Sequence, residues 1–133
     1  MLPRSIDDYT QSMQDCRSVE ELFAAYSDEI EREGYQNIVF VRMDGTRERF
    51  EVRFANIPEG DARRYFEDRM WEHDPVLTAS QEARSPFTWI EEMVRKPHSQ
   101  AARRIMELKA AIGIQGGLTM PFHGPGGMVD IFS

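Results

Sequence analysis

The chain contains a single cysteine, Cys16, so it cannot form an internal disulfide. This absence favours a reducing compartment, and we expect a cytoplasmic protein. No apolar run approaches the roughly 18 residues of a membrane span, and the N-terminus lacks the basic and apolar pattern of a signal peptide. The composition of 41% apolar and 29% charged residues is that of an ordinary globular domain.

Basic residues are also scarce. Lys and Arg together number 16 against 23 Asp and Glu, which gives a net charge of -7. Residues 1–33 alone hold nine acids and three bases. Because a protein that binds duplex DNA usually presents a basic face, we expect no nucleic-acid binding by this chain itself.

Motifs of catalysis and metal binding are missing from the sequence. It has no G-x-S-x-G, no P-loop, and no base close to Cys16 that would make a nucleophile pair. Three histidines are widely spaced, lack a partner at metal-ligand spacing and are predicted to lie at the surface: His73, His98 and His123. We therefore predict no enzyme, no metal and no cofactor. The enzyme alternative, an acid/base pair of Glu72 and Asp74, has only the presence of two carboxylates in its support.

The first half of the chain predicts a helix and a hairpin. Ser18 and Glu21 have the spacing of a capping box, and the apolar positions that follow lie on one helical face up to Gly34. Residues 38–43 form a short β-branched and aromatic run, and Asp44-Gly45 is typical of a hairpin turn. Alternating apolar residues then predict the second strand at Phe50, Val52 and Phe54.

The second half predicts two helices and another hairpin. Residues 61–72 indicate a helix with Asp61 near its N-cap, ended by Asp74-Pro75. Residues 76–97 indicate a looser stretch, and residues 99–111 a helix that stops at Gly113. Strands are predicted over residues 118–122 and 128–132, joined by a glycine-rich turn. Helices with a mostly antiparallel sheet define an α+β fold.

One ordered series of spacings points to function. Asp74 lies nine residues after Tyr65, Trp89 lies fifteen after Asp74, and Gly117 lies 28 after Trp89, within the run Gly116-Gly117-Leu118-Thr119-Met120-Pro121. With these intervals the chain resembles the autoinducer-binding domain of LuxR-type quorum-sensing regulators, over about residues 17–133. The resemblance implies an α-β-α sandwich around a five-stranded antiparallel sheet, of the PAS/GAF-like kind.

The resemblance also implies a binding site. In that family the matching Tyr, Asp and Trp line the pocket for an N-acyl homoserine lactone, so Tyr65, Asp74, Trp89 and Gly117 become expected ligand-binding positions. A carboxylate suits the ligand's amide N–H, a tyrosine hydroxyl suits its acyl carbonyl, and an indole offers a flat wall. Taken singly, each residue has a structural interpretation: Asp before Pro is a common turn former, and Trp and Tyr are common core residues.

Two further candidate positions, Asp61 and Ser133, differ in how well they match the residues that the family has there. Many family members have a tryptophan where Asp61 stands, and its indole N–H donates to the lactone carbonyl. Since an ionised carboxylate cannot donate, either the lactone is held differently or the ligand is not a lactone. Ser133 lies where the family often places a hydroxyl that bonds the ligand. As the last residue, it is expected to be poorly fixed.

The resemblance extends to the end of the chain, before the DNA-binding helix-turn-helix of the family. We expect one sensor domain over residues 1–133, incomplete at its C-terminus. Three hypotheses follow: the ligand-sensing part of a regulator, a truncated interaction protein that forms inactive heterodimers with an intact regulator, or a sensor of a non-lactone signal. A homodimer, or a heterodimer with a related regulator, is the expected assembly.

Overall fold

The structure, a computed structural model, describes residues 5–46 and 48–133, apart from the side chain of Tyr9. The chain divides into two compact units, Met1–Ile38 and Val39–Ser133. Residues 39–133 contain all the predicted site residues, whereas the first unit is helical.

The first unit consists of two helices that pack against each other, α1 (Ile6–Gln14) and α2 (Val19–Arg32). The Ser18 hydroxyl caps α2 by accepting from the backbone N–H of Glu21 at 3.1 Å, as predicted. The Glu21 carboxylate, however, accepts from the backbone N–H of Arg17 at 2.6 Å, so only half of the capping box forms. Gly34 follows α2 at a φ of +95°, the left-handed conformation that ends helices.

The second unit is built on a five-stranded sheet. Its elements in chain order are β1 (Val39–Met43), β2 (Phe50–Ala55), α3 (Glu59–Glu67), α4 (Pro75–Glu82), β3 (Phe87–Thr88), α5 (Trp89–Arg95), α6 (Gln100–Ala111), β4 (Leu118–His123) and β5 (Val129–Phe132). The strand order is β2-β1-β5-β4-β3, and each neighbouring pair is antiparallel. Both predicted hairpins and the α+β fold class are confirmed.

Alternation along the central strands determines which side chains form the core. Val41 and Met43 of β1 lie opposite Ile131 and Val129 of β5, and all four are almost fully buried. Trp71, which lies in a 3₁₀ turn, and Leu77 of α4 complete this cluster from the helical side. On the other face of the same strand pair, Arg42 forms a bidentate ion pair with Asp130, with N···O distances of 2.7 and 3.0 Å.

The region between residues 61 and 97 differs from its prediction. The helix predicted over residues 61–72 is α3, which begins after Pro58 and ends at Glu67. Asp61 lies in its first turn, near the N-cap as predicted. Asp74-Pro75 begins α4 instead of ending a helix, and the stretch predicted to be loose contains α4, β3 and α5. The dipeptide was interpreted as a stop, but an aspartate N-cap with proline at the first helical position is equally a start.

None of the helices within residues 5–46 and 48–133 has the length and apolar content needed to cross a membrane.

Candidate functional site

The centre of the candidate site is the carboxylate of Asp74, which is only 2% exposed. Asp74 is the N-cap of α4, and its Oδ1 accepts from the backbone N–H of Val76 at 2.9 Å. Pro75 at the first helical position has no N–H to satisfy, and its fixed φ suits the start of a helix. Local sequence therefore holds this carboxylate in one orientation.

The other carboxylate oxygen, Oδ2, has two partners from distant parts of the chain. The hydroxyl of Tyr65, on α3, donates to it at 2.7 Å. The ammonium of Lys109, on α6, lies 2.7 Å from the same oxygen, and the lysine side chain is 16% exposed. A buried carboxylate needs such partners, because an unpaired charge is costly away from water. Three elements thus converge on one residue.

Lys109 also connects Asp74 to Trp89. Its Nζ lies 4.6 Å from the centroid of the indole ring, within the range of a cation–π contact. The indole N–H donates to the hydroxyl of Thr119 at 2.9 Å, and the hydroxyls of Thr119 and Ser133 lie 2.5 Å apart. We call this sequence of contacts the polar chain: Tyr65, Asp74, Lys109, Trp89, Thr119 and Ser133.

Gly117 packs against the indole of Trp89, a member of the polar chain. The backbone N–H of Trp89 donates to the carbonyl of Gly117 at 3.0 Å. A Cβ placed on Gly117 would lie 2.6 Å from the indole ring, closer than two carbons approach. Gly117, which directly precedes β4, therefore leaves the space in which the Trp89 ring packs against the backbone.

Ser133 is better fixed than expected. Its backbone N–H donates to the carbonyl of Val39 at 2.9 Å, and its carbonyl accepts from the N–H of Val39 at 2.7 Å. With the hydroxyl held by Thr119, the residue is anchored three times. The expectation of a poorly fixed position was wrong, because Ser133 continues the pairing of β5 with β1.

Asp61 lies one helical turn before Tyr65 and is partly buried. Residues four apart share a helical face, so Asp61 points to the same side of α3 as Tyr65. Within the described ranges, however, no hydrogen bond joins the Asp61 carboxylate to the polar chain. Five of the six predicted site residues come together, and Asp61 lies beside them.

Two members of the polar chain, Lys109 and Thr119, were not predicted. The signal for Lys109 was its spacing: it follows Ala102 by seven residues and Ile105 by four, which places it on the buried face of α6. A lysine on the otherwise apolar face of a helix indicates an acidic partner on the element that packs against that face. Thr119 belongs to the run of residues 116–121 on which the resemblance rests. Its link between Trp89 and Ser133 is visible only in the structure.

A second feature near α4 is separate from the polar chain. It is a cleft of about 270 Å³ that includes Glu72, Lys96 and two of the histidines, and none of the six predicted site residues lines it. The expectation that the histidines lie at the surface holds for His73. It was wrong for His98, whose side chain is 7% exposed and whose ring nitrogen lies 3.0 Å from the carbonyl of Glu92. His123 is also partly buried, 2.7 Å from the carbonyl of Ala83.

The polar chain joins aromatic and polar side chains from the helices and the sheet of the second unit. Residues 18–133 match the family model described as the autoinducer binding domain, and the chain belongs to this family. The resemblance to the sensor domains of LuxR-type regulators is thereby confirmed. No curated relative matches the chain in sequence.

Solved structures of LuxR-family regulators share the fold. One is the N-acylhomoserine lactone dependent LuxR family transcription factor CepR2 from Burkholderia cenocepacia, with 17% identity and a TM-score of 0.74, covering 95% of this chain and 73% of that one. Another is Escherichia coli SdiA, with 17% identity and a TM-score of 0.76, covering 95% of this chain and 52% of that one. A structure of SdiA in complex with octanoyl-rac-glycerol has 17% identity and a TM-score of 0.74, covering 99% and 55%. The chain thus spans about half the length of the SdiA chains.

Proposed function

We propose that this chain senses a small signal of the N-acyl homoserine lactone kind, with an apolar tail and a polar head that contains an amide and a second carbonyl. The observation that carries the proposal is the buried Asp74 carboxylate, oriented by α4, bonded to Tyr65 and linked to Trp89 through Lys109. Membership of the autoinducer binding domain family supports the same conclusion.

Each predicted contact has a chemical role in this proposal. Asp74 accepts the amide N–H of the signal, a charge-assisted bond about twice as strong as a neutral one. Tyr65 donates to the acyl carbonyl, which requires its hydroxyl hydrogen to turn away from Oδ2 of Asp74. Trp89 forms an apolar wall, which Gly117 allows to lie close to β4.

A sensor of a non-lactone signal is the second candidate function, and Asp61 is the observation that favours it. A carboxylate beside Tyr65 repels a carbonyl oxygen and cannot donate to it. A protein of the same fold, SdiA, has been solved in complex with octanoyl-rac-glycerol, which has an acyl tail and no lactone. Both candidates require the same apolar tail but differ in the head group.

Variants of Asp74 and Tyr65 test the proposal. Asp74→Ala removes the acceptor of the amide N–H and is expected to weaken the binding of a homoserine lactone by about 1–3 kcal/mol or more, because a buried donor then lacks a partner. Tyr65→Phe removes one hydroxyl and is expected to cost about 0.5–1.5 kcal/mol. Titration calorimetry against lactones of several acyl lengths measures both effects.

The matched control is Tyr35→Phe, which makes the same change at a tyrosine of the first unit that is 43% exposed. Circular dichroism of each variant shows whether the fold is kept, since Asp74→Ala also leaves Lys109 without its acid. Asp74→Asn keeps the side-chain volume and is expected to lie between wild type and alanine. Wild-type affinity in a folded Asp74→Ala protein would exclude Asp74 as the ligand acceptor.

A further inference from the structure

Lys109 is the most unexpected side chain in the polar chain. Lysines are rarely buried without a partner, and the side chain of this one is only 16% exposed. Its ammonium lies 2.7 Å from Asp74 and 4.6 Å from the centre of the Trp89 ring, so it contacts two of the residues proposed to hold the signal. The ammonium therefore occupies the place where a head group bound to both residues would lie.

The acceptor capacity of Asp74 is nearly filled in this arrangement. A carboxylate has about four acceptor positions. Val76 takes one on Oδ1, while Tyr65 and Lys109 take both on Oδ2. A ligand N–H that bonds to Oδ2 must displace Lys109 or Tyr65. Because an ammonium in a buried site cannot be left unpaired, a displaced Lys109 needs an oxygen acceptor nearby.

The charge balance limits what that acceptor can be. Asp74 and Lys109 form a pair of opposite charges in direct contact, and Asp61 adds a further carboxylate beside Tyr65. An anionic head would bring a second negative charge next to Asp74, and a cationic head would face the ammonium. A neutral head with an N–H and a carbonyl, by contrast, satisfies both partners without changing the charge of the site.

Resting on the proposed function, we propose that Lys109 is a specificity-determining residue that donates to the second carbonyl of a neutral amide signal. On binding, the amide N–H takes the place of the ammonium on Asp74, and the ammonium turns to the carbonyl oxygen of the head. The four-carbon stem of lysine permits this movement without a change in α6. Lys109 thus supplies the donor that Asp61 cannot supply.

Matched ligand pairs isolate this contact. An N-acyl homoserine lactone and an N-acyl cyclopentylamide of the same chain length share the tail, the amide and the five-membered ring, but only the lactone has the second carbonyl. Wild type is expected to favour the lactone by about tenfold or more, the range of one hydrogen bond to a charged donor. In Lys109→Met the two ligands are expected to bind equally, and Lys109→Arg is expected to restore part of the preference.

The affinity ratio separates this role from a merely structural one. If Lys109 only stabilised Asp74, Lys109→Met would weaken both ligands alike and leave the ratio unchanged, which would overturn the inference. Arg104→Met is the control, because it removes one positive charge from an exposed position of the same helix. Should Lys109→Met fail to fold, Asp74→Asn/Lys109→Met removes both charges together, and its ratio is read in the same way.

The remaining outcomes are also distinct. Equal binding of the two ligands by wild type overturns the role of Lys109 and leaves the proposed function standing. If folded wild type binds neither member of any pair, the proposed lactone-like signal and the inference fail together.

Discussion

Gly117 shows how much a single residue can decide in this fold. Its missing side chain leaves the space that the Trp89 ring occupies, and a Cβ there would lie 2.6 Å from the indole. Gly117→Ala is therefore expected to displace Trp89 and to lower the free energy of unfolding by about 1–3 kcal/mol, the usual cost of overpacking. Urea unfolding followed by tryptophan fluorescence measures the change.

The neighbouring glycine is a matched control. A Cβ on Gly116 would meet no atom within 4 Å, so Gly116→Ala is expected to leave stability nearly unchanged. If both variants unfold at the same urea concentration as wild type, Trp89 has room to move, and Gly117 does not fix the wall of the site.

At the scale of residues, the sequence predicted which residues belong to the site better than it predicted which side chains contact each other. The spacing of Tyr65, Asp74 and Trp89 located three members of the polar chain, and that of Gly117 located the residue that packs against the Trp89 ring. The position of Lys109 on the buried face of α6 indicated an acidic partner but did not identify it as Asp74, since that contact joins α6 to α4 and depends on how the two helices pack. Pairings across elements are set by tertiary structure, which periodicity does not encode.

At the scale of elements, helix ends and apolar spacing account for the correct predictions, and a blurred apolar pattern accounts for a missed helix. α2 was predicted from the Ser18 cap and Gly34, and α6 from its apolar spacing and Gly113. In the structure the hydroxyls of Ser18 and Ser99 both cap their helices, and both glycines have a positive φ. α5 was missed although Thr88 caps it in the same way. Its seven residues include two exposed apolar side chains, Ile90 and Val94, which blur the amphipathic pattern.

Helix α5 also contains a pH-sensitive ion pair. Hydrogen bonds from Arg95, at 2.9 and 3.0 Å, hold the pKa of Glu92 below its usual range, with smaller attractions from His98 and Lys96, while burial acts in the opposite direction. A carboxyl whose pKa is lowered by folding stabilises the protein above its unfolded pKa of about 4.3. This contribution is lost as the pH falls through the lowered pKa.

Glu92→Gln is therefore expected to lower the free energy of unfolding at neutral pH by about 1 kcal/mol, a small value for a charged hydrogen bond because Arg95 is half exposed. The difference from wild type should shrink as the pH falls through the lowered pKa of Glu92. Urea unfolding at a series of pH values measures both quantities.

Glu91→Gln provides the comparison for this series. Glu91 precedes Glu92 on the same helix but is exposed, so its substitution should change stability little at any pH. A Glu92→Gln effect that stays constant across the whole range would mean that the side chain acts through packing or neutral hydrogen bonds, and not through its charge.

At the scale of the whole molecule, charge bears on what the chain binds. It carries a net charge of -7. Two neighbouring arginines of α3 form ion pairs with acids: Arg63 with Glu59, and Arg64 with Asp68 just after the helix. Such pairing leaves little positive potential for a phosphate backbone.

The 133-residue chain is accordingly expected not to bind duplex DNA at micromolar concentration, even at low ionic strength. Protein–DNA affinity comes largely from the release of counterions by lysine and arginine, and an acidic surface repels the duplex before contact. Fluorescence anisotropy of a labelled duplex, with and without a saturating lactone, measures this directly.

A micromolar complex that weakens steeply with added salt would contradict the prediction, since that dependence requires several phosphate contacts from basic side chains. Binding that appears only with the lactone would instead show that the signal rearranges the surface and exposes basic groups that are paired in its absence.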